Sequence, residues 1–120
     1  RRDVANAYDA GLDPSIARAA GPFGPDHVCH VYAIATPMRD ATMAQLKQAG
    51  VPTNIHYPVP VHLQPCHADL GYRRGDFPVA EAFCDSTLSL PIHPHMDADQ
   101  VTTVIAAVNA CAAAPVALRA

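Results

Sequence analysis

Seven histidines among 120 residues give this chain an unusual supply of groups that titrate near neutrality and bind metals. They are His27, His30, His56, His62, His67, His93 and His95. The densest stretch is His56-Tyr57-Pro58-Val59-Pro60-Val61-His62-Leu63-Gln64. It places two imidazoles, a phenol and an amide on a segment stiffened by prolines, which lower the entropy lost on ordering a loop. A short strand leading into such a loop is a usual place for ligand contacts. A structural turn carrying surface histidines is the competing reading, and composition does not separate the two.

Other residues carry weaker signals. His62, Cys66 and His67 have plausible local spacing for zinc, with Cys29-His30 and His93-Pro-His95 as possible further ligands. Structural zinc sites usually show two tight ligand pairs at standard spacings, and these are missing. Cys66-His67 is a poor nucleophile and base, because catalytic pairs are usually distant in sequence. Lys47 is the single lysine. It sits in the polar part of a helical pattern, where a surface role outweighs a Schiff-base role. Arg39-Asp40 opens the same helix, and Asp40 suits its positive end. Tyr32, Tyr57 and Tyr72 are more often packing residues than acids.

The elements that would position these groups are short. Val4, Tyr8 and Leu12 recur at helical spacing and indicate a helix over residues 2–12. Residues 13–26, with Gly21, Pro22, Gly24 and Pro25, read as a loop. Residues 28–35 read as a strand and 39–49 as a helix stopped by Gly50. A second strand is expected over 53–57, followed by an extended irregular loop through His62 and Gln64, since proline has no N–H to donate to a ladder. Asp76 is the expected cap of a helix ending near Ser86, with Val79, Ala82 or Phe83, and Ser86 as its inner stripe. Residues 87–90 form a third strand. Asp97 and Gln100 have capping-box spacing ahead of Val101, Val104, Ile105 and Val108, a helix expected to end at Pro115. The expected fold is α/β, in the α+β sense: about three short strands covered by helices in one domain over residues 1–120, with parallel and antiparallel pairings both open.

Composition limits the function. Leu, Ile, Val and Phe total 26 residues, enough for a small core only. The net charge of −3 and the scattered basic residues argue against nucleic-acid binding. No apolar run approaches a membrane span, and the Arg-Arg-Asp start has no signal-peptide core. Four dispersed cysteines suit reduced thiols in a cytoplasmic protein. The twelve prolines are spread as punctuation between elements.

One ordered set of residues runs nearly the whole length. It comprises Arg2, Ala5 and Tyr8; His27-Val28-Cys29-His30-Val31-Tyr32; Arg39-Asp40; Leu46; Gly50-Val51-Pro52-Thr53; and His56-Tyr57-Pro58-x-Pro60-x-His62-x-Gln64-Pro65. It continues through Leu70-Gly71-Tyr72, Gly75-Asp76-Phe77-Pro78-Val79-Ala80-Glu81 and Leu88-Ser89-Leu90-Pro91-Ile92-His93-Pro94 to Gln100-Val101. In this set the chain resembles the C-terminal part of the DegT/DnrJ/StrS family of PLP-dependent sugar aminotransferases.

The resemblance implies the small C-terminal domain of the type I, aspartate aminotransferase-like fold. It implies an enzyme that moves an amino group from an amino acid, often glutamate, to a keto group on a nucleotide-linked sugar, with PLP as electron sink. It implies a dimer whose sites lie between domains and subunits. The family's Schiff-base lysine and most of its phosphate-binding groups lie in a larger N-terminal domain, which this chain lacks; Lys47 does not match that lysine. By position, His56 and Tyr57 fall on the family's substrate side, with His62 and Gln64 as further candidates for the same pocket. The isolated chain is expected to be inactive, to bind no PLP covalently and to self-associate. Cys66-His67 departs from the small-then-aromatic pair common in the family, and the Ala-rich tail after Cys111 matches no family motif. A non-catalytic dimerisation or ligand-binding module and a His/Cys metal-binding protein are the alternatives.

Overall fold

The computed structural model describes residues 1–18 and 21–113. The elements run α1 (Arg2–Gly11), β1 (Ala17–Arg18), β2 (Tyr32–Ala35), α2 (Arg39–Gln48), two 3₁₀ turns (Val61–Leu63 and Pro65–Leu70), α3 (Pro78–Ser86), β3 (Thr87–Leu90) and α4 (Ala98–Ala113). The sheet has the order β1-β2-β3 and is antiparallel throughout. Tyr32 pairs with Leu90, Ala33 with Ser89, Ile34 with Leu88 and Ala35 with Thr87.

Alternation along β2 and β3 divides the sheet into two unlike faces. Tyr32, Ile34, Leu88 and Leu90 join the main core with Val4, Ala5 and Tyr8 of α1, Leu46 of α2, and Val101, Val104 and Val108 of α4. Ala33, Ala35, Thr87 and Ser89 form the opposite face, small and partly polar. The helical spacings over 2–12 and 101–108 therefore match the observed core, with Ile105 packed at its border.

Polar contacts fix the helices to the sheet. The Tyr8 hydroxyl donates to the Pro91 carbonyl at 2.7 Å, and its ring meets Tyr32 edge-on at 5.1 Å. Burial, with the neighbouring Tyr32, pushes the Tyr8 phenol far above its ordinary value, so it stays neutral and donates. Arg18 donates to the carbonyls of Asp9 and Leu12, which α1 leaves open at its C-terminal end, and to those of Asp13 and Ile16 in the following turn. Asn109 of α4 accepts from the Asp13 N–H at 2.8 Å and donates to the Gly11 carbonyl at 3.0 Å. At the start of α4 the Asp97–Gln100 capping box forms, with bonds of 2.8 and 3.2 Å. The expected end at Pro115 lies outside the described residues.

The structure corrects several expectations. Three strands form, but the third is β1, inside the stretch read as a loop. Two residues show no periodicity, and the Arg18 bonds supply what the pattern does not. Residues 28–31 precede β2 instead of belonging to it, because Cys29 takes a φ of +46° that breaks an extended run. Residues 53–57 form no strand. They contribute one bridge, Asn54 to Ser89, before Tyr57 turns the chain with a φ of +61°. The loop expected beyond it is wound into the two 3₁₀ turns. In α3 the inner residues are Glu81 and Cys84, whereas Val79 and Phe83 are exposed. Phe77, not Asp76, occupies the cap position. Asp76 instead accepts the Arg73 N–H at 2.8 Å.

Candidate functional site

The segment 54–64 hangs on β3. Its anchor is the Asn54 bridge, with Asn54 N–H donating to the Ser89 carbonyl at 3.1 Å and Ser89 N–H to the Asn54 carbonyl at 2.8 Å. Two residues later, His56 Nδ1 lies 2.8 Å from Ser89 Oγ. Ser89 is buried and His56 half-buried, so the imidazole sits at the rim of the small-residue face.

Tyr57 follows in the left-handed region, where a residue with a Cβ is strained, and 77% of it is exposed. Its ring stands 6.3 Å from that of His56. Tyr57 also borders an open groove of about 680 Å³ whose walls include Val59, Gln64, Phe77 and Phe83. Tyr57 and Gln64 thus share one cavity. Gln64 is half-buried there, and its Oε1 lies 3.8 Å from the Cys66 thiol that donates to it.

His62 points elsewhere. Its Nε2 lies 3.0 Å from Glu81 Oε1, and both side chains are more than nine-tenths buried. The ring lies 4.7 Å from that of Phe77 and 6.4 Å from that of Tyr72. Glu81 also accepts the Gly75 N–H at 2.8 and 2.9 Å and the Phe77 N–H at 3.2 Å. Burial works against ionisation of Glu81. The two amides and the His62 imidazole together outweigh it, and the carboxyl sits below its ordinary value. One carboxylate therefore ties the first 3₁₀ turn, the Gly75 turn and α3 into a single unit behind the groove.

Glu81 and Ser89 are the two residues that sequence reasoning missed. Glu81 had a signal: an acid in the first turn of a helix that can reach back to free amides. Ser89 had a fainter one, a lone hydroxyl between Leu88 and Leu90, which alternation sends to the face away from the core.

Elsewhere, chemistry-bearing groups stay apart. Among the described residues no group of three or more His, Cys, Asp or Glu could hold a metal ion. His27 Nδ1 lies 3.1 Å from Cys29 Sγ, but the thiol is buried. Lys47, the sole lysine, is exposed in the last turn of α2 and lines neither the groove beside Tyr57 nor the cavities beside Ile34 and Val104. The residues present therefore do not fit covalent attachment of an aldehyde cofactor, which needs a sheltered amine. No helix among the described residues is long and apolar enough to cross a membrane.

Comparison with known proteins decides the family. A model of the DegT/DnrJ/EryC1/StrS aminotransferase family matches residues 1–109. The chain belongs to this family. Within the DegT/DnrJ/EryC1/StrS aminotransferases, it is 39% identical over 111 residues to the dTDP-3-amino-3,4,6-trideoxy-alpha-D-glucose transaminase of Streptomyces venezuelae, covering 91% of this chain and 29% of that protein. It is 46% identical over 85 residues to the erythromycin biosynthesis sensory transduction protein EryC1 of Saccharopolyspora erythraea, covering 71% of this chain and 23% of that one. The crystal structure of S. venezuelae DesV in complex with a ketimine intermediate superimposes with a TM-score of 0.86 and 38% identity, over 96% of this chain and 32% of that one. The chain thus spans less than a third of the length of these relatives. A DegT/DnrJ/EryC1/StrS aminotransferase from Brucella abortus superimposes as well, with a TM-score of 0.77 and 29% identity over 92% of this chain and 30% of that one, and together these neighbours confirm the fold class expected from the sequence.

Proposed function

We propose that this chain is the substrate-side, C-terminal domain of a PLP-dependent aminotransferase acting on a nucleotide-linked keto sugar, with an amino acid, glutamate in the first instance, as amino donor. The observation that carries this is the 54–64 segment. A family motif is pinned to β3, offers His56 at the rim of a sheet face, and projects Tyr57 over an open groove. An imidazole at that rim can hydrogen-bond a sugar hydroxyl or phosphate oxygen. A phenol beside it can do the same or pack on the sugar. Gln64 lies on the same groove and offers an amide to the ligand's polar edge. His62 would serve that pocket through its bond to Glu81, by holding the groove wall.

The chemistry of amino transfer belongs to PLP, which supplies the electron sink when bound. Its lysine and most of its contacts would come from a preceding domain, and the exposed apolar groove wall would face that domain or a second subunit of a dimer. On this reading the chain alone is inactive, and the complete enzyme works in the cytoplasm. The test is to read the gene upstream of the Arg1 codon and express the complete frame. A preceding domain with a PLP-reactive lysine, and transamination of a dTDP-keto sugar by the complete protein, support the proposal. A frame that starts at Arg1 overturns it and favours a binding or dimerisation module.

A further inference from the structure

Ser89 makes three contacts to the segment that carries His56. Its N–H and carbonyl bond Asn54, and its Oγ lies 2.8 Å from His56 Nδ1. Tyr57, immediately after, is turned by its φ of +61°. The backbone of His56 is therefore set two residues upstream by a bridge and one residue downstream by a turn, and Ser89 Oγ sets the plane of the ring. Only Nε2 is left. Among the described residues no bond to it accompanies the Nδ1 contact, and it is not a buried unpaired atom, of which Tyr32 Oη is the one case there.

We infer that Ser89 is a positioning residue that engages His56 Nδ1 so that Nε2 alone is presented to an oxygen of the ligand, a sugar hydroxyl or a phosphate. This deepens the proposed function and rests on it for the ligand, but not for the imidazole. A hydroxyl can donate to Nδ1 or accept from it, so the contact occupies that nitrogen and holds the ring's orientation in either tautomer, leaving Nε2 to the ligand. A buried serine with a purely packing role would leave the ring free to reorient.

The first test uses the chain as it stands. Carbon-13 NMR relaxation of the His56 ring should show a fixed imidazole in the wild type and a mobile one in Ser89→Ala. A mobile ring in the wild type overturns the inference without reference to any variant. The second test uses the complete enzyme with a dTDP-keto sugar. Ser89→Ala should raise KM for the sugar about fivefold with kcat within about twofold, the loss of one hydrogen bond's worth of orientation. Ser89→Thr, which keeps the hydroxyl, should restore it. A KM unchanged in Ser89→Ala but raised in His56→Ala overturns the positioning role and leaves the proposed function standing. A KM unchanged in both variants overturns both.

Discussion

Replacing Tyr57 by glycine should reverse the usual order in which alanine is the more stabilising of the two small residues. Tyr57 holds a φ of +61°, and a left-handed backbone costs a residue with a Cβ about 1–2 kcal/mol. Glycine is free of that cost. It gives back about 0.4–1 kcal/mol through the wider freedom of the unfolded chain. Both variants lose the same tyrosine packing. With 77% of Tyr57 exposed, that packing amounts to about 50 Å² and about 1 kcal/mol. The packing term cancels when the two variants are compared. Tyr57→Gly should therefore be about 1 kcal/mol more stable than Tyr57→Ala, a difference of about 4 °C in melting temperature for a chain of this size. Against the wild type, Tyr57→Gly should be nearly neutral, since relieved strain offsets lost contact. Urea and thermal unfolding followed by circular dichroism measure both comparisons. An alanine variant as stable as the glycine variant, or more so, would refute the left-handed turn and with it the way Tyr57 is projected over the groove.

Gly11→Ala should destabilise, although alanine favours helices, because the new Cβ would stand 2.8 Å from Ile105 Cδ1 and 3.1 Å from Cγ2. In an Ile105→Val background the loss should shrink, and a double-mutant cycle by urea unfolding reads the coupling. Glu81, Asp13 and Asp85 are all held below their ordinary values. Their contribution is thus fully present above the unfolded carboxyl range and is lost as pH falls through the lower folded values. Glu81→Gln should flatten part of the acid limb of a stability–pH profile, and an unchanged limb would count against the Glu81 contacts. Val61, Val79 and Phe83 leave an apolar wall exposed, so the chain should self-associate at high concentration, and Val79→Glu with Phe83→Lys should reduce this in light scattering. A wild type that stays monodisperse would contradict it.

Much of the core was legible from periodicity, because α1 and α4 bury residues at strict helical spacing and β3 coincides with the run 87–90. What escaped was set by contacts distant in sequence. β1 exists through the bonds around Arg18. The 53–57 stretch carries Thr53 and Ile55, but its neighbours Pro52, Pro58 and Pro60 cannot donate, so it stops at one bridge. In α3 apolar Val79 and Phe83 face outward while Glu81 faces in. Pattern reasoning assigns the apolar stripe to the core, but here the buried position is satisfied by the Gly75 and Phe77 amides, six and four residues earlier. The candidate site shows the same division. The segment carrying His56, Tyr57, His62 and Gln64 stood out by residue type, and the structure gives these residues three surroundings: Ser89 for His56, the open groove for Tyr57 and Gln64, and Glu81 for His62.

On the proposed function, the 54–64 segment faces a nucleotide sugar. Its most direct test is steady-state kinetics of the complete enzyme with and without His56→Ala, varying the dTDP-keto sugar and the amino donor separately. A KM for the sugar raised about tenfold, with that for the amino donor unchanged, is the result expected for one lost imidazole contact. Unchanged kinetics for both substrates would remove His56 from the site and contradict the account.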